Sequence, residues 1–564
     1  MAKVLQIENN VERYKRLADA RAEKEDFFGA LTFLFSAEKE QFNYEILMRI
    51  ADAYADMGNL ELSNKYWFKY MHFAPSDKVS VAYEELAVNY FYMENLWASG
   101  YYFHKKISKD GYISKEGLDK EILDFFSGEE FKRHAYRIVY PRERADYTFE
   151  TKNGKRAIAL GGFKEATIVL EKIPEDCRTE EISGDLAVAY FMDNRLDDAE
   201  KVCRHSLNKH GETVTAYANL STVYDMRGDF LNSEFYYQKA LACRKGNFGE
   251  AYKIATCSIE REDHETAKEC LETILKDRPY ETSMCFFYGI ALINLGDYEG
   301  GYQSLKKAFM IDPDDLITEY YLSFSDKLRK GGEDDEKLLP LKYQKELPKK
   351  ISVKWSRRIK DLVKTPERIS VVMKKPEMQT VVKWGMLYGT EAVMRASALI
   401  ASSADGARFK RTALSMLLTP DVRDGLKRLL VYVLIMKGHK GRIGVVASSF
   451  YTDFSAKKLQ CEKTADGALY FSAYALLVSR LIFFDIEGFE RAAKITDKIY
   501  RAFSGVITEA ETTNEEIAAL ILSECGFEKF STDQEVLRNF EITENKFKQL
   551  KNLYENSKAG EKND

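Results

Sequence analysis

The sequence predicts an all-α chain: an α-solenoid of helix-turn-helix repeats through about residue 315, followed by a helical C-terminal domain. Three observations carry this. Between residues 180 and 315 the small residues Ala187, Ser221, Ala255 and Gly289 fall 34 apart. The turn residues Asn194, Gly228, Glu262 and Gly296 keep the same spacing, as do Ala199, Ser233, Ala267 and Gly301. Only 10 prolines interrupt 564 residues, while Tyr and Phe number 34 each, a balance that favours helices packed through large side chains.

One such unit cannot bury its apolar face alone, so it stacks on the next copy. Leu196, Phe230, His264 and Tyr298 fill the slot two residues past each turn. Pro279 and Pro313 stand where a missing N–H closes the second helix. Residues 44–77 read the same way, through Ala51, Tyr54, Gly58, Leu60, Ser63, Trp67 and Pro75. Residues 11–43 fit through Ala18, Phe27, Ala30 and Leu34, and residues 79–112 through Ala87, Tyr90, Ser99 and Phe103. The register breaks at 113–147, read as a degenerate helical pair or an insertion, and resumes at 154–174 through Ala157, Gly161, Phe163, Ala166 and Leu170. This pattern resembles the tetratricopeptide repeat (TPR) family. The resemblance implies about eight repeats over residues 1–315, curved into a superhelix with the first helix of each pair on the concave side.

Counting along those first helices places Tyr252, Thr256 and Ile259, then Phe286, Ile290 and Ile293, in the groove. The resemblance therefore implies an apolar groove for an extended or helical segment of a protein or peptide partner. Chaperone-adaptor members of the family clamp a C-terminal carboxylate with Lys, Asn and Arg. The matching positions here hold Lys15 and Asp19, Met48 and Asp52, and Glu84 and Val88, so no clamp is expected.

The bulk numbers fit a globular cytoplasmic protein. The net charge of −5 is small for the length and gives no global attraction to nucleic acid or membrane. The first ten residues lack the apolar stretch of a secretory signal, and no 18-residue apolar run is present. Eight cysteines without a C-x-x-C pair read as reduced, mostly buried thiols.

Residues 316–376 read as a join: an acidic hinge, GGEDDE at 331–336, and then a basic stretch holding four of the ten prolines. Its densest charge is the patch Lys354, Arg357, Arg358 and Lys360, next to a single aromatic, Trp355. A solvated helix face explains such a patch; docking on acid or on phosphate is the functional reading. Residues 377–564 read as a helical C-terminal domain. One helix is expected over 378–402, another over 406–418, and one over 422–437 capped by Thr419, Pro420 and Asp421. A short hairpin is expected within 442–454, with further helices at 466–484, 488–503 and 514–525. Residues 531–550 can be laid on a helix-turn-helix capped by Ser531 or Thr532 and by Thr543, with Val536, Leu537, Phe547 and Leu550 inside. Glu541 and Glu544 oppose a DNA role there, and Lys546, Lys548 and Lys551 partly offset them.

Motifs for chemistry are missing. There is no phosphate loop, no G-x-S-x-G elbow and no H-E-x-x-H. Gly438, Gly441 and Gly444 read as a loop. Cys203, His205 and His210 lie close in sequence, but Cys203 faces the core of a repeat helix and His205 points elsewhere, and Asp312, Asp314, Asp315 and Glu319 lack the glycine and spacing of a calcium loop. The expectation is a scaffold without catalysis, cofactor or metal that binds protein or peptide through its concave face. The alternative is a nucleic-acid-associated regulator using the C-terminal helix-turn-helix-like unit.

Overall fold

The structure is a computed structural model. It describes residues 10–110, 147–159, 161–334, 336–447, 449–463, 467–482, 488–503, 512–526, 533–540 and 542–560. The segment expected to be a degenerate pair lies almost wholly in 111–146, outside the described residues, as do Ser531, Thr532 and Glu541. The chain forms two compact units, Met1–Pro348 and Lys349–Asp564.

Unit 1 is built of helix pairs. They are α1 (Asn10–Ala22) with α2 (Phe27–Glu40), α3 (Tyr44–Asp56) with α4 (Leu60–Phe73), and α5 (Ser80–Tyr92) with α6 (Leu96–Asp110). Then come α7 (Thr148–Ala159) with α8 (Phe163–Leu170), α9 (Glu180–Met192) with α10 (Leu196–His210), and α11 (Val214–Met226) with α12 (Phe230–Cys243). The last pairs are α13 (Phe248–Glu260) with α14 (His264–Asp277) and α15 (Thr282–Asn294) with α16 (Tyr298–Ile311), closed by α17 (Leu316–Arg329).

The spacing has a steric cause. A Cβ on Gly289 would lie 3.1 Å from the carbonyl of Gly301, and one on Gly301 would lie 3.0 Å from the carbonyl of Gly289. The two helices of a pair cross there nearly backbone to backbone, so only small residues fit. Where serine stands instead, its hydroxyl serves the crossing: Ser99 Oγ donates to the Ala87 carbonyl at 2.7 Å, and Ser221 Oγ to that of Ser233 at 2.9 Å. The turn residues take left-handed backbone, at φ 75° for Gly228 and 86° for Gly296, and Asn194 and Glu262 accept the same conformation at 63° and 58°. Asp229, Asp263 and Asp297 follow three of these turns and cap the second helix through a side-chain oxygen.

The first repeats return to the last. Phe28 stacks on Tyr280 with ring centroids 5.8 Å apart, and Asn59 Nδ2 donates to the Tyr280 carbonyl at 3.0 Å. The Tyr54 hydroxyl donates to the Ile311 carbonyl at 2.6 Å. Lys65 is buried with its Nζ 2.9 Å from Asp314 and 3.6 Å from Asp312. Burial works against its charge, but the two carboxylates outweigh it and hold the ammonium protonated. Unit 1 is thus a superhelical turn fastened where its ends meet.

Residues 316–376 do not form one join. Residues 316–348 belong to unit 1, where Leu341, Tyr343 and Leu347 are buried. The basic stretch begins unit 2 as α18 (Lys349–Val363), which buries Ile351, Ile359 and Leu362.

A single turn at Ile369–Val372 follows in unit 2. Then come α19 (Pro376–Tyr388), α20 (Glu391–Ala404), α21 (Gly406–Leu417) and α22 (Asp424–Met436). The helix expected over 378–402 is two helices, because the chain is extended at Gly389 and its Cβ would lie 2.5 Å from the Gly385 carbonyl. Residues 419–422 form a turn, and α22 starts later than expected, after Arg423. The hairpin is β1 (Arg442–Ala447) with β2 (Phe450–Ser455), antiparallel. Helix α23 (Ala468–Leu481) is buried on nearly every side, and α24 (Gly488–Phe503) and α25 (Asn514–Glu524) pack on it. Helices α26 (Asp533–Phe540) and α27 (Glu544–Gly560) complete the same core through Val536, Phe540, Phe547, Leu550 and Tyr554.

Candidate functional site: the inner face of unit 1

The first helix of each pair lies on the inner side of the curve. Helices α7, α9 and α11 each touch the next first helix, whereas no second helix makes a comparable contact with the next second helix among the described residues. The shorter circumference therefore belongs to the first helices.

The counted groove residues divide. On α13, Tyr252 is 47% exposed, Thr256 is exposed and Ile259 is half-buried. On α15, Phe286, Ile290 and Ile293 are completely buried and offer nothing to a partner. Phe286 packs edge-on against Tyr321 of α17, with centroids 5.3 Å apart. Ile293 lies against Gly301, whose missing side chain makes room for it.

What stands over α15 and α17 is the chain itself. Residues 338–347 cross them as an irregular strap, bent at Pro340, Tyr343, Lys345 and Glu346. Leu341, Tyr343 and Leu347 are buried, Lys345 is half-buried, and Lys342, Gln344 and Glu346 are exposed. Burial thus alternates along the strap with a period of two. Asn294 grips its backbone twice, accepting from the Leu341 amide at 2.6 Å and donating to the Leu341 carbonyl at 2.8 Å. Tyr343 packs on Phe287 and shares a 2.9 Å hydrogen bond with His264 Nδ1. The Tyr321 hydroxyl donates to the Glu346 carbonyl at 3.0 Å, and Lys345 Nζ lies 2.8 Å from Asp315. That lysine holds the Asp315 carboxyl below the usual range despite its burial. Phe287 and Asn294 are seven residues apart on one face of α15, one position along from the counted ones.

The strap is held by a narrow margin. Burying three large side chains contributes roughly 5–8 kcal/mol. Its five polar contacts add about 1 kcal/mol each. Ordering its backbone costs about 10 kcal/mol or more. The terms nearly cancel, so the segment stays in place partly because it is tethered.

The rest of the inner face carries acid. Asp52 and Asp56 on α3 face Glu85 on α5. Desolvation by the packed helices first, and neighbouring carboxylates second, push Asp52 up to about 6, although part of it stays exposed, and the half-buried Glu85 up to about 7. Burial also raises Asp56. On α9, burial raises Asp185 to about 6 although Lys253 and Lys155 oppose it, and its Oδ2 is buried without a hydrogen-bond partner. On α13, burial and then Asp225 raise Glu260. Sequence counting followed Glu84 and Val88 and so passed over Glu85, one position along, and Asp185 on α9 was passed over in the same way.

In unit 2, Lys354, Arg357 and Lys360 are exposed on α18, while Arg358 is 2.5 Å from Glu377 and Trp355 meets Trp384 edge-on at 5.6 Å. In the helix-turn-helix-like unit, Lys548 pairs with Glu544 at 2.5 Å and Lys551 with Asp533 at 2.8 Å. Among the described residues there is no group of His, Cys, Asp and Glu able to hold a metal ion. No described helix is long and apolar enough to cross a membrane.

Paired helices with a backbone-close crossing, a left-handed turn residue and a period of 34 define a helix-turn-helix solenoid. A family model described as tetratricopeptide repeat matches residues 282–315, which hold α15 and α16. The same helix-pair geometry recurs through the described part of unit 1, and residues 282–315 are similar to the tetratricopeptide repeat. No curated protein matches the chain. Among solved structures it is similar to YrrB, a TPR protein with an unusual peptide-binding site, at 14% identity over 35% of this chain and 99% of that one, TM-score 0.22. It is also similar to MamA of AMB-1, at 17% identity over 29% and 98%, TM-score 0.21. A third is a TPR protein from Parabacteroides merdae ATCC 43184, at 12% identity over 56% and 99%, TM-score 0.27.

Proposed function

We propose that the protein is a non-catalytic scaffold whose unit 1 receives an extended, basic segment of a partner protein along the open part of its inner face, from α3 to α13. The observation that carries this reading is the set of carboxylates Asp52, Glu85, Asp185 and Glu260, all raised by desolvation among packed helices although Asp52 and Glu260 keep exposed surface, with Lys155 and Lys253 as nearby cations. Carboxylates held close together in a concave surface repel one another, and a cationic ligand relieves that repulsion. Tyr252, Thr256 and Ile259 give the same face an apolar end for an anchoring side chain. The cytosol suits the eight free cysteines.

Neutral isosteres test this without threatening the fold. Asp52→Asn combined with Glu85→Gln removes the repulsion, so the melting temperature is expected to hold or rise. Affinity for a partner recovered with the wild-type chain is expected to fall about tenfold, in line with two weakened charge contacts of roughly 0.7 kcal/mol each. Unchanged affinity and unchanged salt dependence would remove the acidic face from the reading.

A further inference from the structure

We infer that the strap is a resident ligand, and that the surface beneath it is a second binding site on unit 1. Its ligand class is a non-helical segment presenting an apolar residue, an aromatic residue, a lysine and an apolar residue at alternate positions. This deepens the scaffold reading but uses other residues, so the two succeed or fail separately.

The strap's own contacts define the class. Asn294 reads main chain and not side chain, since it takes both the amide and the carbonyl of Leu341. A grip on main chain accepts many sequences, so specificity falls to the pockets for the alternate, inward side chains. The inward side chains set the preference. Leu341 and Leu347 fill buried positions, Tyr343 combines a ring against Phe287 with a hydroxyl for His264, and Lys345 answers Asp315. The outward Lys342, Gln344 and Glu346 are exposed, so the class leaves their positions open.

The receptor is built independently of its occupant. Asp315 already caps α17, accepting from the amides of Ile317 at 3.0 Å and Thr318 at 3.2 Å, and Tyr321 is fixed against Phe286. Upstream, Gly331 takes left-handed backbone at φ 78°, and the Asp334 carboxylate accepts from the amides of Leu338 and Leu339 at 2.6 and 2.9 Å. The strap is thus attached through a glycine turn and a separate polar fastening, and it competes with a partner as a tethered segment at millimolar effective concentration.

The probe is a labelled peptide of residues 338–348, LLPLKYQKELP. In the full chain, Leu341→Asp with Tyr343→Asp empties the site. The peptide is expected to bind this variant at one per chain, and at least tenfold less to wild type. Adding Asn294→Ala is expected to weaken binding at least tenfold. A peptide with Leu341 exchanged for Lys342 and Tyr343 for Gln344 puts the apolar groups outward and is expected not to bind. Asp52→Asn with Glu85→Gln is expected to leave peptide binding unchanged, which separates this site from the acidic face. A folded emptied variant that ignores the peptide overturns the inference. Wild type gives the second reading: with millimolar peptide, amides of residues 341–347 should exchange hydrogen faster while those of α15 and α17 stay protected. Unaltered exchange there also overturns it and leaves the strap a permanent part of the core.

Discussion

Replacing Lys65 with Met is expected to lower the stability of unit 1 by about 2–3 kcal/mol, and Lys65→Glu by more. Lys65 comes from the second helix pair and its partners Asp312 and Asp314 from the turn after the last. Met preserves the length of the side chain but leaves two carboxylates facing a closed surface without a cation. Breaking a fully buried ion pair costs about 3–5 kcal/mol. The lower figure applies because Asp314 is about half exposed, at 48%, and water screens it. Tyr54→Phe, which removes only the hydroxyl bond to Ile311, is expected to cost about 1 kcal/mol. A urea midpoint followed through hydrogen exchange of α4 and α16 measures both. The exposed Lys201, changed to Met as a control, should shift the midpoint by less than about 0.5 kcal/mol equivalent. A Lys65→Met protein as stable as wild type would mean that the two ends touch without holding each other.

Acidification is expected to move stability and binding in opposite directions. Asp52 and Asp185 sit at about 6 and Glu85 at about 7, above their values in an unfolded chain. Between roughly pH 4 and 7 the native state therefore binds more protons than the unfolded state, and stability falls as pH rises through that window. Lowering the pH from 8 to 5.5 should thus stabilise unit 1, by on the order of 1 kcal/mol once screening by water at the exposed Asp52 is allowed for. The same protons neutralise the acidic face, so a basic partner should bind tenfold or more weakly at pH 5.5 than at pH 8. Melting curves and titration calorimetry at the two values read the two halves. Binding that strengthens on acidification would contradict the charge of the proposed ligand.

The repeat was legible because its constraints are local and steric. Gly289 and Gly301 must be small since their backbones almost touch, and Gly228 and Gly296 must adopt a left-handed turn. Each leaves a mark at a fixed spacing that needs no knowledge of the tertiary fold. Exposure along the first helices was legible only in part. Counting forward from each repeat start reached Tyr252 and Thr256, which are exposed, and Ile259, which is half-buried, but the same count on α15 reached Phe286, Ile290 and Ile293, which neighbouring helices cover. The strap escaped because three apolar residues among lysines read as a linker. Its one signal was the alternation of Leu341, Tyr343, Lys345 and Leu347, too short to separate from chance in a basic stretch. The closure at Lys65 carried no signal, because its partners lie some 250 residues away and nothing in either segment marks the other.

The central claim, that the inner face of unit 1 is where a partner lies, is tested most directly by site-specific photo-crosslinking. A photoreactive residue at Thr222 or Thr256 points from the first helices, and one at Glu272 points from the second helix α14. In the native host, adducts to a partner are expected from Thr222 and Thr256, to weaken with Asp52→Asn and Glu85→Gln, and to be absent from Glu272. Adducts from Glu272 with none from the two inner positions would contradict the account.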